Sequence, residues 1–330
     1  MAATVSIRSA ACRFPARRRR VETLFREENA RFTNETAARL GVEAVRLCDG
    51  ASGSTLALEA AREALERAGV DASALDVIVD FSILPQEYLV PAWNMSNKLQ
   101  HELGATGAFT LGFSGGGATN FLVALKAAAD LIRFDERVNT ALLVAADVTI
   151  PGNRILNPDA PTVVLGDGAS AMLLGADAPG PRVLDVELWS DGGYHDVCFI
   201  PGGALAHPDR SDLYRLILDR ERFEAAPKWE TLERLAAAVL TRAGRARDDR
   251  TAFVYPNLSA PDRAAFARAF ALDPDRFVHA PFSEHGHVQG SDFVRNYLAF
   301  LENGAFANGG AALLCSHGMG FLYGVGLLSF

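Results

Sequence analysis

Residues 104–134, GATGAFTLGFSGGGATNFLVALKAAADLIRF, hold the position in this chain best suited to chemistry. An extended run, Ala108 to Phe113, meets a glycine cluster, Gly115 to Gly117, and a long apolar helix is expected from about Ala118. A helix that begins at a strand end presents unpaired N–H groups. Glycines let other atoms approach them, so this is a place for a nucleophile or an anion. The helix register aims Ala118 there, whereas the glycine-flanked hydroxyl aims Ser114 there. Far downstream, HGHVQGSD carries an imidazole, His287, and a carboxylate, Asp292. That run also reads as a plain loop before a helix capped by Ser291 or Asp292.

The elements around these residues come in a repeated order. LALEAAREALERAG has apolar residues at helical spacing, a Ser/Thr start and a Gly stop. VIVDFSI follows as a buried strand rich in β-branched residues. A helix is expected to open at Pro91 and close at Gly104. Thr140 to Val148 reads as a buried strand, and Thr162 to Gly175 as strand, tight turn, strand. In the second half, LERLAAAVLTRAG, a loop and TAFVYPN copy the first helix, loop and strand. EHGHVQGSDFVRNYLAFLENGAFANGGAALLCSHG mirrors the central unit. Helix, loop and parallel strand, repeated, predict stacked α/β layers in two halves, 1–176 and 177–330. A pseudo-twofold between such halves would bring Ala118 or Ser114 beside His287 and Asp292.

Composition narrows the classes. The chain has 330 residues with a net charge of −8, the wrong sign for the basic face that nucleic acid requires. No apolar run reaches the roughly 20 residues that span a bilayer. Arg17 to Arg20 reads as a solvated or partner-facing patch. Cys12, Cys48, Cys198 and Cys315 lack CxxC spacing, which points to reduced thiols in a cytoplasm rather than disulfides or zinc. The seven histidines make no metal motif, and neither a P-loop nor a dinucleotide fingerprint is present.

From about Gly53 to the C-terminus, the ordered set LALEAAREALERAGVDASALDVIVDFS, LQHELGA, ALLVAADV, GDGASAMLLG and GMGFLYGVGLLSF resembles the ketoacyl-ACP synthase III family of condensing enzymes. The resemblance implies an α/β, thiolase-like five-layer αβαβα fold and a homodimer through the central strands. It also implies an acyl-CoA or acyl carrier protein (ACP) thioester as substrate, with no permanently bound cofactor and no metal. That family is known for a Cys-His-Asn site, and here the three positions fall on Ala118, Asn257 and His287. YPNLS together with GHVQGSD is similar to a secondary-metabolism branch of acyltransferases and starter-unit enzymes, for which the resemblance implies a Cys(or Ser)-His-Asp site.

A thioester needs a nucleophile and a base to take that nucleophile's proton. His287 could be the base, acting later on an alcohol, amine or malonyl acceptor, and Asp292 could fix its tautomer. Backbone N–H groups of Gly318, Met319, Gly320 and the nucleophile would bind the oxyanion. Asn257 could donate to the thioester or acceptor, or hold a Pro-Asn turn. His195, His285 and His317 read as loop or surface histidines. The methyl of Ala118 cannot attack anything. Three explanations stand: a nucleophile-to-alanine variant that traps its donor, Ser114 acting from a shifted helix start, or a silent subunit beside an active partner. Gly112-Phe113-Ser114-Gly115-Gly116 also fits the G-x-S-x-G elbow of an α/β-hydrolase, with His317 as its histidine, but that leaves the duplication unexplained.

Overall fold

The structure, a computed structural model, describes residues 3–48, 52–84, 87–88, 93–150, 152–248, 251–272, 280, 282–304 and 309–330. Its main sheet has nine strands: β1 (Val5–Arg13), β2 (Val77–Asp80), β3 (Phe109–Gly112), β4 (Thr140–Asp147), β5 (Gly168–Ala176), β6 (Arg182–Ser190), β7 (Thr251–Val254), β8 (Ala311–Gly318) and β9 (Leu322–Ser329). Their order is β7-β8-β9-β6-β1-β5-β4-β2-β3. The order is a near-palindrome. β2 runs parallel to β4, and β4 antiparallel to β5. In the second half, β7 runs parallel to β8, and β8 antiparallel to β9. The halves meet between β1 and β6 at one paired position, Ser6 with Arg182.

Four long helices dominate the layers among the described residues. α1 (Gly53–Ala68) starts where Ser52 accepts the N–H of Thr55, and stops at Gly69 in the left-handed region, φ 61°. Its small apolar face of Ala57, Ala60, Ala61 and Ala64 covers one side of the first-half strands. α2 (Asn120–Phe134) and α4 (Ser291–Glu302) lie between the two sets of strands in a shared core. There the rings of Phe121 and Phe293 stack with centroids 5.0 Å apart. α3 (Lys228–Arg242) covers the outer side of the second half. The succession is helix, sheet, helix, sheet, helix: the five-layer thiolase arrangement. All eight residues of β4 are buried, because helices cover it on both faces.

Some local expectations change. Pro91 lies outside the described residues; the helix assigned to it runs Met95–Leu103, with Asn94 accepting the N–H of Ser96. Val163–Val164 pairs back onto Ile155–Leu156 instead of forming a hairpin with β5. Arg17–Arg20 is a short strand paired with Ala44–Leu47, so it has a structural partner as well as a solvent face.

Candidate active site

Backbone geometry builds the centre. Residues Gly117–Thr119 form a tight turn ahead of α2, and Ala118 lies buried within it. Thr119 Oγ1 donates to the carbonyl of Leu322 at 3.0 Å and lies 3.1 Å from Ser316 Oγ, tying the helix start to β8 and β9. A Cβ on Gly318 would land on the carbonyl oxygen of Gly116, and one on Gly117 would lie 3.1 Å from the Gly318 Cα. Only glycine permits this approach of the chain's middle to its tail.

His287 is set by a parallel bridge to Leu165: its N–H donates to Val164 O at 2.9 Å, and its carbonyl accepts Gly166 N–H at 3.0 Å. Gly166 and Gly286 allow the contact, since a Cβ on either would strike a carbonyl of the other strand. The ring's Nδ1–H donates to Asp292 Oδ2 at 2.6 Å. Asp292 is fully buried at the head of α4. It also accepts the backbone N–H groups of Asn257, at 2.8 Å, and of Val288, at 3.2 Å. With Nδ1 so engaged, Nε2 is the nitrogen left to act as base.

Ala118 and His287 line one cavity of about 190 Å3, together with Gly115, Gly117, Gly318, Met319, Gln289, His317, Cys198 and an apolar wall. Two further cavities share its walls. One of about 290 Å3 meets it at Leu258 and Met319 and is lined by Arg39, Arg220 and Lys228. A small apolar one, about 30 Å3, meets it at Leu84, Leu165, Ile200 and Leu216. The result is an outer chamber lined by charges of both signs, Glu224 and Asp262 as well as the three cations, a middle with the imidazole, and an apolar end. Burial pulls the Lys228 ammonium below its usual range, and it donates to Phe223 O at 2.8 Å.

The expected site residues divide. Ala118, His287, Gly318 and Met319 share the cavity, and Asp292 stands directly behind His287. Gly320 lies outside the lining, in the turn after β8, with φ 120°. Asn257 is corrected. Its amide exchanges hydrogen bonds with Asn296, 3.1 and 3.3 Å, and its part in the centre is the backbone N–H it gives Asp292. Ser114 is corrected too. It is exposed, beyond the end of β3, and does not line the cavity that its neighbour Gly115 borders, which favours neither the shifted nucleophile nor the hydrolase elbow.

His195 is exposed as expected, and His285 packs half-buried against Phe14, ring centroids 4.5 Å apart. His317 is not a surface histidine. It is buried at the end of β8, its Nε2 is 2.9 Å from the Tyr255 hydroxyl, and burial pushes the ring down to about 3, so it is neutral. Cys198 and Gln289 are polar cavity residues to which sequence reasoning gave no role at the centre. Burial pushes the Cys198 thiol up to about 12, which makes it a poor nucleophile. Among the described residues no cluster of His, Cys, Asp or Glu could hold a metal ion.

Comparison with known proteins bears on the fold that carries this site. The 3-oxoacyl-[acyl-carrier-protein (ACP)] synthase III family profile matches residues 116–192. The beta-ketoacyl-[acyl-carrier-protein] synthase III of Novosphingobium aromaticivorans is 29% identical over 287 residues, 84% of each chain. Superposed on the 3-oxoacyl-(acyl carrier protein) synthase III FabH of Pseudomonas aeruginosa PAO1, the chain gives a TM-score of 0.82 at 23% identity, covering 99% of this chain and 98% of that one. ChlB3, described as an acyltransferase, gives 0.80 at 21% identity, covering 98% and 97%. At those identities the two structures attest the fold.

Proposed function

We propose that this chain, which is similar to the ketoacyl-ACP synthase III family and shares its thiolase fold, uses its cavity to move an acyl group from a CoA or ACP thioester to an acceptor. The observation that carries this is the single enclosure holding Ala118, His287 and the Gly318–Met319 backbone. The donor's thioester carbonyl would lie over residue 118, with backbone N–H groups on its oxygen. In an active chain a thiol or hydroxyl at that position attacks the carbonyl, His287 takes its proton, and the donor's thiol leaves. His287 passes that proton to the leaving thiolate and then deprotonates an alcohol or amine acceptor, whose oxygen or nitrogen attacks the acyl carbonyl and releases the side chain of residue 118; with a malonyl thioester the attacking carbon is freed by loss of CO2 instead.

Replacement of the family's Cys-His-Asn set by His287 and Asp292 favours an alcohol or amine as acceptor over a malonyl thioester, in a biosynthetic pathway of the secondary-metabolism kind. The donor's carrier arm would enter through the chamber of Arg39, Arg220 and Lys228, with no permanently bound cofactor. β3 ends the sheet and exposes Phe109, which supports a homodimer closed through that strand. The halves 1–176 and 177–330 are the duplicated units. Four free thiols fit a reducing cytoplasm.

Ala118 makes this sequence the unreactive form of such a site. A nucleophile-to-alanine chain that traps its donor accounts for it better than a long-silent partner subunit, since the buried His287–Asp292 pair is still in place. The unaltered chain is expected to bind butyryl-CoA and leave it whole, read as a rise in Tm without release of CoA thiol. No thermal shift with acetyl-, butyryl- or octanoyl-CoA would count against the proposal.

A further inference from the structure

The cavity contains hydrogen-bonding groups that the transfer step does not use. Gln289 lines it between the two working residues, His287 and Asp292, and is 7% exposed. Among the described residues its side-chain amide makes no hydrogen bond. Its backbone sits at φ 55°, an uncommon conformation for a residue with a side chain. His317, in the same wall, engages Tyr255 through Nε2, while its Nδ1 has no partner among the described residues. The remaining wall is aliphatic: Ile83, Leu84, Leu156, Leu165, Ile200 and Leu216. A saturated acyl chain would satisfy that wall and leave the amide buried and unpaired, which selects against it.

Position within the three cavities says which substrate the amide meets. Neither Gln289 nor His317 lines the outer chamber with Arg39 and Lys228. Both belong to the middle cavity, which shares Leu84, Leu165, Ile200 and Leu216 with the apolar end. On the acyl-transfer reading, the group lodged there is the acyl chain, with its carbonyl over residue 118 and its tail toward the apolar end. We infer that Gln289 selects an acyl donor carrying a hydroxyl or keto oxygen near its thioester carbonyl over the saturated donor of equal length. An amide suits either oxygen, since it donates through Nε2 and accepts through Oε1.

This inference rests on the acyl-transfer reading, and the test separates the two. In full-length protein carrying Ala118→Cys, the rate of acyl adduct formation is followed by intact mass for β-hydroxybutyryl-CoA and for butyryl-CoA. The hydroxyacyl donor is expected to load about tenfold faster or more. Adding Gln289→Leu should abolish that preference while butyryl loading persists. Equal loading of the two donors, or a preference that survives Gln289→Leu, would overturn the assignment of Gln289 and leave acyl transfer standing. Because the comparison of donors on the unsubstituted glutamine decides by itself, a Gln289→Leu chain that fails to fold does not blunt the test. Absence of an adduct from either donor would overturn the assignment of Gln289, and acyl transfer falls with it only if acetyl- and octanoyl-CoA leave no adduct as well.

Discussion

His287 and Asp292, five residues apart along the chain, are joined by a hydrogen bond of 2.6 Å between Nδ1 and Oδ2 across the turn that opens α4. The carboxylate takes two backbone N–H groups as well, so its orientation is fixed independently of the ring. The ring is fixed independently of the carboxylate, through the bridge to Leu165. Such a pair is organised before substrate arrives, which is what a general base requires.

The first prediction concerns that pair. In a chain carrying a nucleophile at position 118, Asp292→Asn should slow acyl loading by about a hundredfold or more, and His287→Ala by at least as much, with donor binding little changed. Stopped-flow release of CoA thiol measures the rate, and thermal shift measures the binding. A drop of less than threefold for Asp292→Asn would mean that His287 needs no carboxylate.

Asn257 should behave differently. Its amide serves Asn296, and Asn257→Ala keeps the backbone N–H to Asp292. The substitution leaves a buried amide short of a partner, at a cost of about 1–3 kcal/mol in chemical denaturation. Acyl loading should stay within about tenfold. A collapse in rate with unchanged stability would restore Asn257 as a group that touches the substrate.

Asp147 gives a pH-dependent outcome. It is fully buried at the end of β4, where Oδ1 accepts the N–H groups of Ile83 and Leu84 at 2.8 and 2.7 Å. Burial raises its carboxyl from 3.8 to about 7. The folded chain therefore holds a proton that the unfolded chain releases, and the stability this provides is full below 3.8 and lost as pH rises through about 7. Asp147→Asn retains the acceptor oxygen and carries no charge. It should melt a few degrees above the parent at pH 8, with the gap closing toward pH 4. A gap that is the same at both values would contradict the buried-carboxyl account.

What could be read from the sequence was whatever the duplication encodes. The copied helix–loop–strand units foretold the layers and brought Ala118 to His287, because backbone periodicity survives as a pattern of apolar residues. Side-chain direction does not survive in that way. Nothing in YPNLS tells whether the Asn257 amide faces the cavity or Asn296. Ser114 looked reactive because glycines flank it, yet it falls beyond the end of an edge strand, where the chain is exposed. His317 is the penultimate residue of a strand whose eight residues are all buried, and its burial follows from the helix covering that face. Gln289 stood within the quoted motif, but only the backbone at φ 55° and the apolar lining mark it out.

The central claim is that residue 118 and His287 act on one thioester in one enclosure. Its most direct test is the intact mass of the Ala118→Cys chain after incubation with acyl-CoA donors from acetyl to octanoyl, with and without His287→Ala. A covalent adduct of one acyl group per chain, formed with at least one donor and strongly slowed without the imidazole, is the predicted result. No adduct from any donor, or an adduct whose rate ignores His287, would contradict the account.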